Sequence, residues 1–124
     1  INAPLRKNQL SSGERIVKVD ATGKASVTHF EIIQRFDEAT LMDVTLETGR
    51  THQIRVHCQF SDAPIAGDQK YGDKLFNDNL KSKGNSRLFL HARYLKFRHP
   101  LSGDFVEIQA PLPKDLTALL EKLG

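Results

Sequence analysis

In five short stretches of this sequence apolar side chains recur at roughly every second position. Only at the carboxyl end does the spacing lengthen to i, i+3, i+4 and i+7. A period of two lays side chains alternately on the two faces of a strand, whereas the longer spacing lays them along one stripe of a helix. Ala25 to Phe36 carries Phe30, Ile32 and Phe36 on one parity and His29, Glu31 and Arg35 on the other, which predicts a strand with one face buried. Thr40 to Thr48 does the same with Met42, Val44 and Leu46. Glu14 to Val19, Leu88 to Phe97 and Phe105 to Ala110 read as further strands. Leu116, Leu119, Leu120 and Leu123 mark a closing amphipathic helix. Strands joined by short glycine-bearing turns pair antiparallel, so the expected class is α+β: a mostly antiparallel mixed sheet with a few short helices.

The segments between are less regular. Asn2 to Ser12 is polar and without a clear period, and Asp20 to Lys24, with Gly23, reads as a hairpin loop. Thr51 to about Phe60 fits either period. A helix is preferred because Ile54, His57 and Cys58 would share one face, with Thr51 placed to accept from the free amides of the first turn. Asp62 to Asp68 is turn chemistry. Asp73 to Ser86 is expected to be a mobile surface loop with at most one helical turn near Leu75 and Phe76. Pro111 and Pro113 stop the last strand.

With 124 residues the chain is expected to form one domain. The balance of 18 Lys and Arg against 15 Asp and Glu leaves a charge of +3, which permits a nucleic-acid partner without requiring one. Nowhere do eighteen or so apolar residues run together, as a membrane span would need. The single cysteine, Cys58, excludes an internal disulfide and suits a reducing cytoplasm. The first residue is Ile1 rather than methionine, which raises the expectation that the sequence is the tail of a longer polypeptide.

The densest polar run is Gly49-Arg-Thr-His-Gln-Ile-Arg-Val-His57, at an expected strand-to-helix junction. A helix amino terminus offers backbone donors and partial positive charge, and a guanidinium grips a carboxylate through two parallel bonds. A solvated basic face is the plainer reading of the same residues. His52 and His57 would point about 140° apart on a helix, unlike metal ligands four residues apart, and no cysteine pair or carboxylate cluster completes a site. Cys58 reads as a small core residue. Asp68, in Ala66-Gly-Asp-Gln-Lys-Tyr-Gly72, reads as a turn residue accepting from backbone amides, and Tyr71 as either a packing residue or a stacking platform. His91 to His99 is a second basic cluster with interleaved aromatics. There Tyr94, Lys96 and Arg98 share the face expected in solvent, where cations could meet phosphates.

Several segments in this order resemble one family: Lys24-Ala-Ser-Val-Thr-His-Phe30, Leu46-Glu-Thr-Gly-Arg-Thr-His-Gln-Ile-Arg-Val-His57, Ala63-Pro-Ile-Ala-Gly-Asp68 with Tyr71-Gly72, Arg87-Leu-Phe-Leu-His-Ala92, and Ala110-Pro-Leu-Pro113. From Ser12 onward the chain is similar to the carboxyl-terminal part of the catalytic domain of RluA-family RNA pseudouridine synthases, most of all the RluC-like branch that acts on large-subunit ribosomal RNA. Asp62-Ala63 departs from the glycine-histidine pair that the family often has there. The resemblance implies a reaction that breaks the N1–C1′ bond of uridine and rejoins the base through C5, without cofactor or metal. The family's nucleophile motif, His-Arg-Leu-Asp followed by Thr-Ser-Gly, does not occur here, nor does the stretch carrying its active-site tyrosine.

By position in the motif, the resemblance makes Arg55 the arginine that pairs with the catalytic aspartate. Arg50, Thr51, His52 and Gln53 become candidate RNA contacts together with Lys96 and Arg98, and Leu88 or Leu90 the apolar wall against the uracil. The implied partner is large-subunit ribosomal RNA, and no separate RNA-binding domain is expected within the chain. Taken alone, the 124 residues are expected to be inactive and open to self-association through uncovered sheet edges. The rival reading is a non-catalytic RNA-binding module, and a histidine-dependent phosphodiesterase built on His52 and His57 is a weaker one.

Overall fold

The computed structural model describes all of residues 1–124 and bears out the α+β class. Six strands form three antiparallel pairs: β1 (Leu5–Gln9) with β2 (Arg15–Val19), β3 (Thr28–Arg35) with β4 (Thr40–Leu46), and β5 (Tyr94–Arg98) with β6 (Phe105–Gln109). Every strand pairing is antiparallel, so the sheet is not mixed. Three helices complete the chain: α1 (Gln53–Phe60), α2 (Lys74–Ser82) and α3 (Lys114–Leu123).

The amino-terminal stretch is ordered, contrary to its irregular sequence. Residues 5–9 pair along β2, while the preceding residues run against 24–28 through Ala3 N–H to Ser26 O at 3.1 Å and Thr28 N–H to Ile1 O at 2.9 Å. One extended segment therefore serves two neighbours, and its ladder bonds replace the apolar alternation that sequence inspection looks for. The turn at Asp20 to Lys24 consequently does not join two paired strands. It carries the chain over the end of β1, where Leu5 and Lys24 exchange backbone bonds of 2.9 and 2.8 Å. A bulge between Ile32 and Gln34 shifts the β3–β4 register and breaks the expected parity.

Two further expectations fail for identifiable reasons. Asp73 to Ser86 holds a nine-residue helix, α2, started by the Asp73 carboxylate, which accepts from Leu75 N–H at 2.9 Å and Phe76 N–H at 3.2 Å. An aspartate cap thus offsets an otherwise polar composition. The strand expected over 88–97 begins only at Tyr94, because the preceding residues instead run beside the 66–67 turn, with Phe89 N–H on Ala66 O at 2.8 Å.

The core is small. Leu5, Val17, Val56 and Tyr71 form its centre, with Ile16 and Val19 packed alongside, so α1 sits on the first strand pair. Leu116 and Leu119 are buried on α3, as the leucine stripe predicts. The β3–β4 pair is covered by α1 at its Thr28 end, and beyond that it and β5–β6 are open: Ile33 is 56% exposed and Leu95 55%. The alternation in their sequences is real, but most of the apolar faces have nothing over them. On α2, Leu80 is fully buried while Leu75 is 82% exposed. Leu80→Ala is expected to cost about 2–5 kcal/mol and Leu75→Ala well under about 0.5 kcal/mol, both read from the denaturant midpoint of unfolding.

Candidate functional site

The motif from Gly49 to His57 lies where β4 ends and α1 begins, as its sequence suggests. Thr51 does not cap the helix. The cap position is His52, whose backbone is left-handed (φ 52°, ψ 22°) and whose side chain makes no capping bond. A left-handed non-glycine residue costs on the order of 1–2 kcal/mol and persists only where surroundings hold it. Here the hold is a 2.8 Å hydrogen bond between His52 Nδ1 and the Tyr71 hydroxyl. That hydroxyl accepts from Val17 N–H at 3.1 Å, so its own proton goes to Nδ1 and His52 carries its hydrogen on Nε2. Burial, with Arg55 and Lys70 nearby, lowers the affinity of His52 for a second proton.

Arg55, in the first turn of α1, is the centre of the site. Its Nε–H donates to Asp68 Oδ2 at 2.9 Å and its Nη2–H to Asp68 Oδ1 at 2.8 Å. The guanidinium carbon lies 5.1 Å from the centre of the Tyr71 ring. Asp68 also accepts from Lys70 N–H and Tyr71 N–H at 3.0 Å each. The turn role expected for Asp68 is therefore present, and a second role joins it. The sequence reading supplied Arg55 with a carboxylate from outside the chain. In the structure its side-on edge is occupied by a carboxylate from within.

Gly67 and Gly72 make that turn possible. Gly67 is left-handed (φ 78°), a Cβ there would strike the Arg87 carbonyl, and one at Gly72 would strike the Asp68 carbonyl. Asn77 of α2 ties the turn down, accepting from Gly67 N–H and donating to Asp68 O, both at 2.9 Å. Burial alone would raise the Asp68 carboxyl. The Arg55 guanidinium and the two backbone amides outweigh it and hold the group below its ordinary 3.8.

A second polar structure lies beneath. Gln53 is 3% exposed and fully bonded: its Oε1 accepts from Thr48 Oγ1–H and Arg50 N–H, and its Nε2 donates to Val27 O and Thr28 Oγ1. The Thr28 hydroxyl donates to His57 Nδ1 at 2.8 Å, and His57 Nε2–H donates to Ala3 O at 2.8 Å. The buried face of α1 is thus Gln53, Val56 and His57, not Ile54, His57 and Cys58. This corrects the expectation for Gln53, which presents no free hydrogen-bonding group to RNA and fastens α1 to β3. No buried side-chain polar atom lacks a partner.

The remaining candidates fall in three places. Arg50 and Thr51 are exposed beside His52, with Arg50 Nε on Ala25 O at 3.1 Å. Leu88 and Leu90 are half-buried in the segment lying against Ala66 and Gly67, one residue from Asp68. Lys96 and Arg98 stand apart on the β5–β6 hairpin, which the Arg93–Asp43 pair (3.1 and 2.6 Å) ties to β4. Tyr71 is 2% exposed and bonded, so it packs rather than stacks on a base. No three histidine, cysteine or carboxylate side chains are grouped to hold a metal ion, and no helix is long and apolar enough to cross a membrane. Sequence inspection missed the Asp68–Arg55 pair and the Tyr71 bonds. The two glycines around Asp68 were the available signal.

Residues 1–60, ending with α1, match the family model for RNA pseudouridylate synthase. Over 99% of its length the chain is 50% identical to ribosomal large subunit pseudouridine synthase C of Pasteurella multocida and 52% identical to that of Haemophilus ducreyi, covering 38% of each. Along nearly its whole length the chain is thus similar to part of RNA pseudouridine synthases. Among solved structures, human RNA pseudouridylate synthase domain containing 1 is similar at a TM-score of 0.74 and 25% identity, over 96% of this chain and 51% of that one. Domain containing 4 gives 0.71 and 25%, over 99% and 55%. The chain thus spans about two fifths of the length of the curated bacterial relatives it matches.

Removing the Asp68 charge while leaving Arg55 in place is expected to cost about 3 kcal/mol, measured by denaturant unfolding of Asp68→Asn. Because the folded-state value lies below the unfolded one, the contribution of Asp68 is complete well above the ordinary 3.8 and is lost as pH falls below it through the lower folded value, and the variant should lose that acid-side slope. Burial, and then the charge of Asp68, push the Cys58 thiol up to about 11. Iodoacetamide should therefore modify native Cys58 at pH 7.5 roughly a hundredfold more slowly than an exposed thiol, the rate climbing steeply toward pH 11.

Proposed function

We propose that residues 1–124 are the carboxyl-terminal portion of a catalytic domain whose protein isomerises uridine to pseudouridine in large-subunit ribosomal RNA in the cytoplasm, without cofactor or metal. What carries this reading is the half-occupied guanidinium of Arg55 within the string that the family model covers. Asp68 takes the side-on edge through Nε and Nη2, leaving Nη1 and the outer hydrogen of Nη2 as an end-on fork. That fork suits a second carboxylate, the catalytic aspartate, which this sequence does not contain.

The geometry supports the following division of labour. Asp68 and the Tyr71 ring fix the guanidinium, and the fork keeps the nucleophilic carboxylate ionised and aimed. The target uridine leaves its stack, at a cost of a few kcal/mol or so. Leu88 or Leu90 forms the apolar wall against its base. Arg50, Thr51 and the Nε2–H of His52, exposed or half-exposed at the head of α1, meet the flanking backbone. Breaking N1–C1′ and bonding C5 to C1′ releases the C5 hydrogen as a proton, so tritium release from 5-tritiated uridine reads the reaction. Supporting the substrate class, the bacterial relatives carry names that specify the large ribosomal subunit.

Arg55→Ala in the intact protein is expected to abolish tritium release while changing RNA affinity less than about tenfold (roughly 1.4 kcal/mol). A larger affinity loss with turnover per bound complex intact would make Arg55 a phosphate contact. The 124-residue chain expressed by itself is expected to release no tritium and to self-associate through the open faces around Ile33 and Leu95, seen as concentration-dependent sedimentation. Turnover by this chain would refute the proposal.

A further inference from the structure

The β5–β6 hairpin has two unlike faces. Leu95 and Phe97 pair across with Ile108 and Val106 on one. On the other, Tyr94, Lys96 and Arg98 stand opposite Gln109, Glu107 and Phe105. Phe105 is 61% exposed and Tyr94 49%, so two rings of this face lie open. Lys96 Nζ is 4.7 Å and Arg98 Cζ 4.8 Å from the centre of the Phe105 ring. Arg98 is directly across the ladder from Phe105, and Lys96 is its diagonal neighbour. Glu107 is the one acid in these three pairs. It lies 3.7 Å from Lys96, too long for a hydrogen bond, and Arg98 makes no ion pair.

A lone exposed aromatic needs no explanation. Two open rings, one of them with two cations over it that a base could displace toward its phosphates, are a different matter. Single-stranded nucleic acid is bound by this combination: a base stacks on the ring and neighbouring phosphates meet the cations, largely without regard to sequence. An acidic peptide would satisfy the charges but give the open rings nothing flat to cover. We infer that this face is an accessory contact for an unpaired stretch of RNA, with a base stacked on Phe105 or Tyr94 and its phosphates on Arg98 and Lys96. The inference rests on the proposed RNA substrate and extends it to a surface away from Arg55.

The test compares binding of an oligouridylate to the purified intact protein with that of an abasic strand of equal length and charge. The uridine strand should bind more tightly. Phe105→Leu, which keeps apolar bulk without the ring, should weaken uridine-strand binding roughly five- to tenfold and leave the abasic strand unchanged. Removing Lys96 and Arg98 together should weaken both strands and flatten the salt slope by about 0.7 per cation removed. An unchanged thermal midpoint for Phe105→Leu excludes a folding defect. Equal binding of the two strands, or a base preference that survives Phe105→Leu, overturns the inference. Base preference carried by Phe105 without tritium release upholds the face and fails the isomerase reading. Tritium release with no base preference does the reverse.

Discussion

Everything near the motif depends on one ion pair, Arg55 with Asp68, laid across the Tyr71 ring. Its worth lies less in net stability than in direction. A paired charge in a partly dry setting returns little free energy over its desolvation, yet it fixes the plane of the guanidinium. Each component is itself fixed. Asp68 is pinned by two amides and by a turn that only glycine permits at residues 67 and 72. Tyr71 is pinned by Val17 N–H and by the left-handed His52. The strain at His52 and the close approaches at the glycines are thus concentrated where orientation matters.

The polar ladder from Thr48 through Gln53, Thr28 and His57 to Ala3 serves the same end from the opposite side. It anchors α1 to β3 and to the first residues of the chain. Its hydrogens run in one consistent order, so any single substitution leaves a buried group unpaired. With so small an apolar core, this ladder and the Arg55 clasp are what give α1 a definite position.

Much of this was legible in the sequence, for reasons that differ by element. The leucines of α3 and the β5–β6 hairpin follow ordinary periodicity. The helical choice for α1 also held, although the face chosen was wrong, because a buried histidine and glutamine read as polar until their partners are seen. The helix α2 was hidden by its polar composition, its aspartate cap being the only local sign. β1 is hidden because its sequence, Leu-Arg-Lys-Asn-Gln, holds a single apolar residue and so shows no alternation. Arg55 is marked by the motif, but its clasp is not: thirteen positions and the turn at Gly67 separate it from Asp68, and no local pattern encodes that closure. The largely uncovered faces of β3–β4 and β5–β6 show that alternation records what a strand is built to bury, whether or not the chain in hand buries it.

In the proposed site Asp68 acts only through Arg55, holding the guanidinium for the catalytic carboxylate. Turnover in a double-mutant cycle of Arg55→Ala and Asp68→Asn in the intact protein tests it most directly. Each single variant should be slow, and the double variant no slower than Arg55→Ala alone, because removing the guanidinium leaves Asp68 nothing to position. Rate losses that multiply would mean that Asp68 has its own part in the chemistry, and the clasp would not be the organising element of the site.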